Sequence, residues 1–221
     1  MAATIPNCKA YDPAFAGEMA VIVHHGMREM LVEQRDVFYY VTLMNENYAQ
    51  PDLPAGVDEQ VIRGGYRIAQ VPAAGGSARQ HATLLGSGAI LTEVLEAAQL
   101  LAAGGVTCDV FSITSWSELA RDGLACEQRA LQGAANPGTP FIAQQLAASH
   151  GPIIAATDYV RALPESIRAF VPEGRRYLTL GTDGFGRSDT RAALRQFFGV
   201  DASSIAQAAR HALSHNRGQG G

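Results

Sequence analysis

Apolar positions along this chain follow two regimes. In the first, Asp12-Pro13 precedes Ala16, Ala20, Val23, Met27, Met30 and Leu31, which recur at helical spacing. That predicts a helix capped by Asp12, with proline in its first turn. Val37 to Leu43 is rich in β-branched and aromatic residues and predicts a strand. An irregular stretch with Pro51, Pro54, Gly64 and Gly65 follows, ending at the linker-like run Pro72-Ala73-Ala74-Gly75-Gly76-Ser77.

Beyond that run the pattern is regular. Strands are predicted at Ala82–Leu85, Cys108–Ile113, Pro152–Ala156 and Tyr177–Leu180. Helices are predicted at Ile90–Ala103, at Ser117–Arg129 capped by Ser117, at Phe141–Ala148 behind Pro140, near Glu165–Phe170, at Thr190–Phe198 and at Ala202–Leu213. Strands alternating with helices imply an α/β fold, a mostly parallel sheet covered on both faces. The first seventy residues offer one helix and one strand, too little for an independent core. Residues 1–72 therefore read as the tail of another domain and residues 77–221 as the main one. The polar, glycine-rich end, Asn216 to Gly221, is expected to fray.

Composition narrows the function classes. The 221 residues are 47% hydrophobic and 17% charged, with a net charge of −4, which supports an ample core and argues against a nucleic-acid surface. Cys8, Cys108 and Cys126 are odd in number and widely spaced, the pattern of reduced thiols, not of a disulfide frame or zinc site. No apolar run approaches the roughly 18 residues that span a bilayer, so the expectation is a soluble, cytoplasmic chain without a membrane partner.

Four places carry candidate chemistry. Gly86-Ser87-Gly88 lies between a strand and a helix, but position 91 is Leu where a dinucleotide fingerprint needs its third glycine. A tight turn is the better reading. His211 and His215 share a helix face without the H-E-x-x-H pattern, and read as solvated. His24 falls at the edge of the apolar stripe of the first helix and could face a pocket, with His25 pointing to solvent; a structural histidine is the commoner outcome. In Gly181-Thr182-Asp183-Gly184-Phe185-Gly186-Arg187-Ser188-Asp189, the aspartates could pair as carboxylates, while Ser188 or Asp189 could cap the next helix. By its chemistry that stretch is a turn, a cap and a contact surface.

Several stretches in order carry a resemblance: Ile5-Pro6-Asn7-Cys8 with Tyr11-Asp12-Pro13, Met44-Asn45-Glu46-Asn47-Tyr48, Leu85-Gly86-Ser87-Gly88, Thr114 to Gly123, Ala156-Thr157-Asp158-Tyr159, and Gly181 to Asp189. Together they resemble the C-terminal part of the homodimeric bacterial pyruvate dehydrogenases, the thiamine-dependent decarboxylating component of the pyruvate dehydrogenase complex. The resemblance implies a transketolase-like architecture, with residues 1–72 ending a pyrimidine-binding domain and residues 77–221 forming a transketolase C-terminal-like domain. It implies an oxidoreductase that decarboxylates pyruvate on thiamine diphosphate with magnesium and passes the acetyl unit to lipoamide. Implied partners are the remaining pyruvate dehydrogenase domains, the dihydrolipoyl acetyltransferase, and a second copy in a homodimer or larger assembly. It also matches His24 to a histidine at the substrate end of the family's site. The family's G-D-G…N motif is missing, since the Asp-Gly pairs at 122–123 and 183–184 follow Arg and Thr. The family's catalytic glutamate lies upstream of the match. The chain alone is therefore expected to hold no cofactor and to be inactive. The alternative is a non-catalytic transketolase C-terminal module for assembly or regulation; a relative acting on another 2-oxo acid, or a transketolase, is a weaker third.

Overall fold

The computed structural model describes residues 4–76 and 80–215. Ser77 of the expected linker and the Asn216–Gly221 end lie outside the described residues.

A small N-terminal unit comes first. Strand β1 (Cys8–Tyr11) pairs in parallel with β2 (Phe38–Val41), and helix α1 (Ala16–Met27) connects them. α1 runs on into a π-helical turn at Arg28–Val32. A short helix α2 (Asp58–Arg63) follows. Tyr11, Ile22, Val57, Val61 and Tyr66 form the core of this unit.

The second sheet contains five strands in the order β3-β5-β4-β6-β7. They are β3 (Tyr66–Val71), β4 (Gln80–Gly86), β5 (Val106–Ser112), β6 (Ile153–Ala156) and β7 (Tyr177–Leu180). β4 to β7 are mutually parallel and β3 is an antiparallel edge. Side chains alternate between faces as the pleat requires. Leu84, Ile154 and Ala156 point to a core with α3 (Ile90–Ala103) and α8 (Ala202–His215). Leu85, Ile153 and Ala155 point to the other core, with α4 (Trp116–Leu131) and α5 (Phe141–Leu146). Two short turns of helix, α6 (Ala162–Glu165) and Arg168–Phe170, lead to β7, and α7 (Arg191–Phe198) follows it. The α/β reading, mostly parallel with helices on both faces, is what the structure has. No helix among the described residues is long and apolar enough to cross a membrane, and all three cysteines are free and buried.

Several local expectations are corrected. The main sheet begins before the expected boundary at 72, because β3 bonds to β5 across residues 66–71. The described residues 4–71 hold three strands and two α-helices, where one of each was expected. α1 starts at Ala16, and Asp12 does not cap it; the Glu18 carboxylate accepts the N–H groups of Ala14 (2.6 Å) and Phe15 (3.2 Å) instead. Ser115, not Ser117, caps α4, accepting the Glu118 N–H at 3.1 Å. Thr190 caps α7, accepting from the Ala193 N–H at 3.3 Å, where Ser188 or Asp189 was expected.

Candidate functional site

The parallel strands deliver four loops to one rim of the sheet: residues 87–89, 113–115, 157–161 and 181–190. α3 leaves β4 over one face, whereas the α4–α5 connection reaches β6 over the other. The β4 and β6 connections therefore diverge, which opens the crevice where ligands of open α/β sheets bind.

In this chain the crevice is closed from within. The hydroxyls of Ser87 and Thr157 meet across it at 3.0 Å. Asp12, just past β1, sits on top: its N–H donates to Thr114 O (2.8 Å), its carbonyl accepts from Gly88 N–H (3.0 Å), and its Oδ1 accepts from the Thr42 hydroxyl (2.8 Å). A Cβ on Gly88 would lie 2.6 Å from both carboxylate oxygens of Asp12. On Gly86 it would lie 2.8 Å from Val94 Cγ2. The Gly-Ser-Gly turn thus admits a carboxylate and a helix of its own chain. Burial pushes the Asp12 carboxyl up to about 6, and its enclosed Oδ2 has no hydrogen-bond partner among the described residues.

Two cavities flank this plug. One, of about 490 Å³, opens beside Asp12 between Phe38 and Tyr40 of β2 and Trp116 and Leu163 of the large domain. The other, of about 370 Å³, lies against Arg187, Arg191 and Arg195, with Asp158 and Met44. These guanidinium groups already have protein partners: Arg195 holds Glu46 (2.6 Å) and Glu93 (3.0 Å), Arg191 donates to Asn45 O, and Arg187 lies 3.9 Å over the Phe197 ring. The loop Gly181–Asp189 does not pair its two aspartates. Asp183 accepts the Arg161 N–H at 3.0 Å, while Asp189 accepts the Thr190 N–H at 2.7 Å. Phe185 at its tip is 95% exposed.

The two histidines of α1 exchange their expected environments. The buried line of α1 is Glu18, Ile22 and Gly26, so the helix is rotated relative to the apolar stripe. His24 is exposed and borders neither cavity. His25 is half-buried, its Nδ1 2.9 Å from the Tyr39 hydroxyl, and burial lowers its pKa. Tyr39 also bonds to Glu29, which accepts two contacts from Lys9 at 2.9 and 2.7 Å and another from Arg35. Burial alone would raise the Glu29 carboxyl, but hydrogen bonds from Lys9 and Tyr39 hold it below the ordinary range. Sequence reasoning missed this cluster and also missed Glu18, because each places a carboxylate on the inward face of a helix. His211 and His215 sit together on the exposed end of α8, rings 4.3 Å apart.

The donor set does not fit a diphosphate–metal group. Asp122 accepts from Phe141 N–H (2.5 Å) and faces Arg63 (3.5 Å), and Asp183 is held by Arg161, so both Asp-Gly pairs are engaged in protein contacts. Among the described residues no group of three or more His, Cys, Asp or Glu could hold a metal ion.

A doubly wound domain, its strand-end crevice plugged by a preceding α/β unit, is the architecture these contacts define. The chain belongs to the family of transketolase-like TK C-terminal domains, whose model matches residues 64–201. The model of the pyruvate dehydrogenase E1 component middle domain matches residues 1–51. Curated relatives include the pyruvate dehydrogenase E1 component of Pseudomonas aeruginosa, 48% identical over 216 residues, covering 97% of this chain and 24% of the relative. That of Escherichia coli K12 is 47% identical over 209 residues, covering 93% and 23%. The chain spans about a quarter of the length of these relatives. Similar solved structures include a Pichia stipitis transketolase complexed with sedoheptulose-7-phosphate (TM-score 0.58, 15% identity, 97% of this chain and 26% of that one). A split-gene transketolase solved as an inactive β4 tetramer gives TM-score 0.58 at 16% identity, covering 96% of this chain and 60% of that one. At such identities the likeness is one of fold.

Proposed function

We propose that this chain supplies the C-terminal portion of a thiamine-diphosphate-dependent pyruvate dehydrogenase, the acetyl-transferring E1 component. The observation that carries the reading is a 48% identity running through both the N-terminal unit and the large sheet. The cofactor would supply the carbanion chemistry, and its diphosphate and magnesium would be held outside this chain. What these residues contribute is a rigid frame. Glu18 and Asp12 join the end of the pyrimidine-binding domain to the C-terminal domain, and Arg195 ties Glu46 to Glu93 on α3. The partners in this reading are the rest of the E1 chain or subunit, a second copy, and the dihydrolipoyl acetyltransferase, in the cytoplasm.

Within that reading His24 lies at the substrate end of the assembled site. Its exposed imidazole is open to groups outside this chain, whereas His25 is engaged with Tyr39. The test is pyruvate-dependent carbon dioxide release by this chain combined with the preceding portion of the Pseudomonas aeruginosa relative. Activity with thiamine diphosphate and magnesium, absent from either part alone, is the expected result. In the active assembly His24→Ala should lower kcat/KM roughly 10²-fold. An effect under about threefold returns His24 to an ordinary surface role.

A further inference from the structure

The parallel strands of the large sheet begin at the end opposite the Asp12 plug, and a pair of histidines lies there. His81 is early in β4, and His150 is in the loop before β6. Asp109 of β5, fully buried, stands behind His81. The His81 Nε2–H donates to Asp109 Oδ2 at 2.7 Å. Asp109 Oδ1 accepts the Gln70 amide at 3.0 Å and faces Arg67 at 3.6 Å. The bond to Asp109 keeps a proton on Nε2 and leaves the lone pair on Nδ1. That nitrogen has no hydrogen-bond partner among the described residues, and the His81 side chain is 24% exposed.

His150 is exposed, and among the described residues its imidazole makes no hydrogen bond. It meets the His81 ring edge to face, with centroids 5.7 Å apart. The backbone holds the pair at that spacing. Thr83 donates through its N–H to Pro152 O (2.9 Å) and through its hydroxyl to His150 O (3.1 Å). Gly151, at φ +73, passes so close to β4 that a Cβ there would lie 1.7 Å from His81 O. Arg175 fastens the same turn, donating to Gly151 O at 2.7 Å.

A buried carboxylate on one ring nitrogen is the usual device for orienting the other nitrogen toward a metal ion. With metal–nitrogen bonds of about 2.0–2.1 Å, two imidazoles sharing one tetrahedral ion place their ring centres roughly 5–6 Å apart. The observed 5.7 Å matches that spacing. The second histidine pair of the chain lacks these features. His211 Nε2 faces the Arg176 guanidinium at 3.3 Å, and His215 Nδ1 lies 2.9 Å from His211 O. Among the described residues no carboxylate backs either ring.

We propose that His81 and His150 form a two-imidazole site for a divalent transition-metal ion of the zinc class, with Asp109 orienting His81 and water completing the coordination. Imidazole nitrogen suits zinc, nickel and copper(II), not the oxygen-seeking magnesium ion. Asp109 supports the site without ligating, in keeping with the lack of a three-residue metal cluster among the described residues. The bound ion ties the turn before β6 to β4. The site stands independently of the function proposed above.

The test is isothermal titration of the full chain with zinc chloride at neutral pH, and separately with magnesium chloride. The expected result is one zinc ion per chain at a micromolar dissociation constant, and no heat from magnesium. His150→Gln, at an exposed position, should weaken zinc binding at least tenfold, and His81→Gln should do the same. The double variant His211→Gln/His215→Gln should change the affinity by less than twofold. Imidazole nitrogen NMR should show zinc shifting His81 Nδ1 while Nε2 keeps its proton. Should His81→Gln fail to fold, His150→Gln and the spectra decide. No zinc heat, zinc binding that survives His150→Gln, or binding lost with the His211/His215 variant overturns the proposal. So does coordination through His81 Nε2, since Asp109 then competes with the ion for the ring instead of supporting it.

Discussion

At the scale of single residues, two carboxylates join the two sheets. Glu18 is fully buried and accepts four donors: Ala14 and Phe15 N–H groups through Oε2, and the Tyr66 (2.8 Å) and Ser112 (2.5 Å) hydroxyls through Oε1. Glu18→Ala strands all four in the interior and should lower the unfolding free energy by about 3–5 kcal/mol. Urea titration measures it; a loss below about 1 kcal/mol means the four donors find other acceptors. Asp12 acts through pH. Its folded pKa of about 6 lies above the ordinary 3.8, so between those values the native state keeps a proton that the unfolded chain releases. The stabilisation is complete below pH 4 and fades as pH rises through 6, a loss of about 3 kcal/mol for this one group. Asp12→Asn should therefore flatten the fall in stability between pH 4.5 and 7 relative to the parent. Parallel pH curves for the two proteins would remove Asp12 from the account. Neither role was legible in the sequence. A glutamate in a helix reads as solvent-facing, and Asp12 beside Pro13 reads as a cap, until β3 and the Gly88 turn are brought against them.

Among elements, legibility followed periodicity and locality. α3 begins and ends at the predicted residues because its apolar positions, Ile90, Leu91, Val94, Ala97, Ala98 and Leu101, are all buried in one core. β4 to β7 were readable because buried parallel strands are continuous apolar runs. β1 and β3 were not. Cys8–Tyr11 and Tyr66–Val71 contain Lys9, Arg67 and Gln70, and each depends on a partner strand distant in sequence. α1 was found but misphased, since Glu18, Ile22 and Gly26 form its inward line and the apolar Val23 and Met27 stay outside. Close helix contacts give an element-scale prediction. A Cβ at Gly123 of α4 would enter the Phe170 ring. Gly123→Ala should cost about 1–3 kcal/mol by overpacking, despite the better helix propensity of alanine. Gly133→Ala has space but holds φ +76, so its cost is the backbone strain alone, about 1–2 kcal/mol. Thermal denaturation of both, with a Gly123→Ala/Phe170→Leu double mutant, separates collision from strain. If Phe170→Leu restores none of the Gly123→Ala loss, the ring is not what the methyl meets.

For the whole molecule, the decisive contrast is between a well-filled domain and a dispersed chemistry. The large sheet is complete in its packing, with Leu84 and Leu85 on opposite faces both fully buried. Its ligand crevice, however, is occupied by Asp12, Ser87 and Thr157. Glycine and aspartate at a strand exit, as in the Gly181–Asp189 loop, serve phosphates and turns alike. Its contacts to Arg161, Tyr159 and Phe197 show the turn. The order of several separated motifs therefore spoke more clearly about family than any one motif spoke about chemistry. The same reasoning fixes what the isolated chain should bind. Holding a diphosphate needs a metal or several free N–H and cationic donors. Asp122 and Asp183 are engaged with Phe141, Arg63 and Arg161, and the rim arginines with Glu46, Glu93, Asn45 and Phe197. Isothermal titration of the chain with thiamine diphosphate and magnesium should give no micromolar isotherm, and the same titration after adding the preceding portion of an E1 relative should give one. A micromolar isotherm from the chain alone would show that these side-chain contacts open at little cost, and the frame role assigned to them would fail with it.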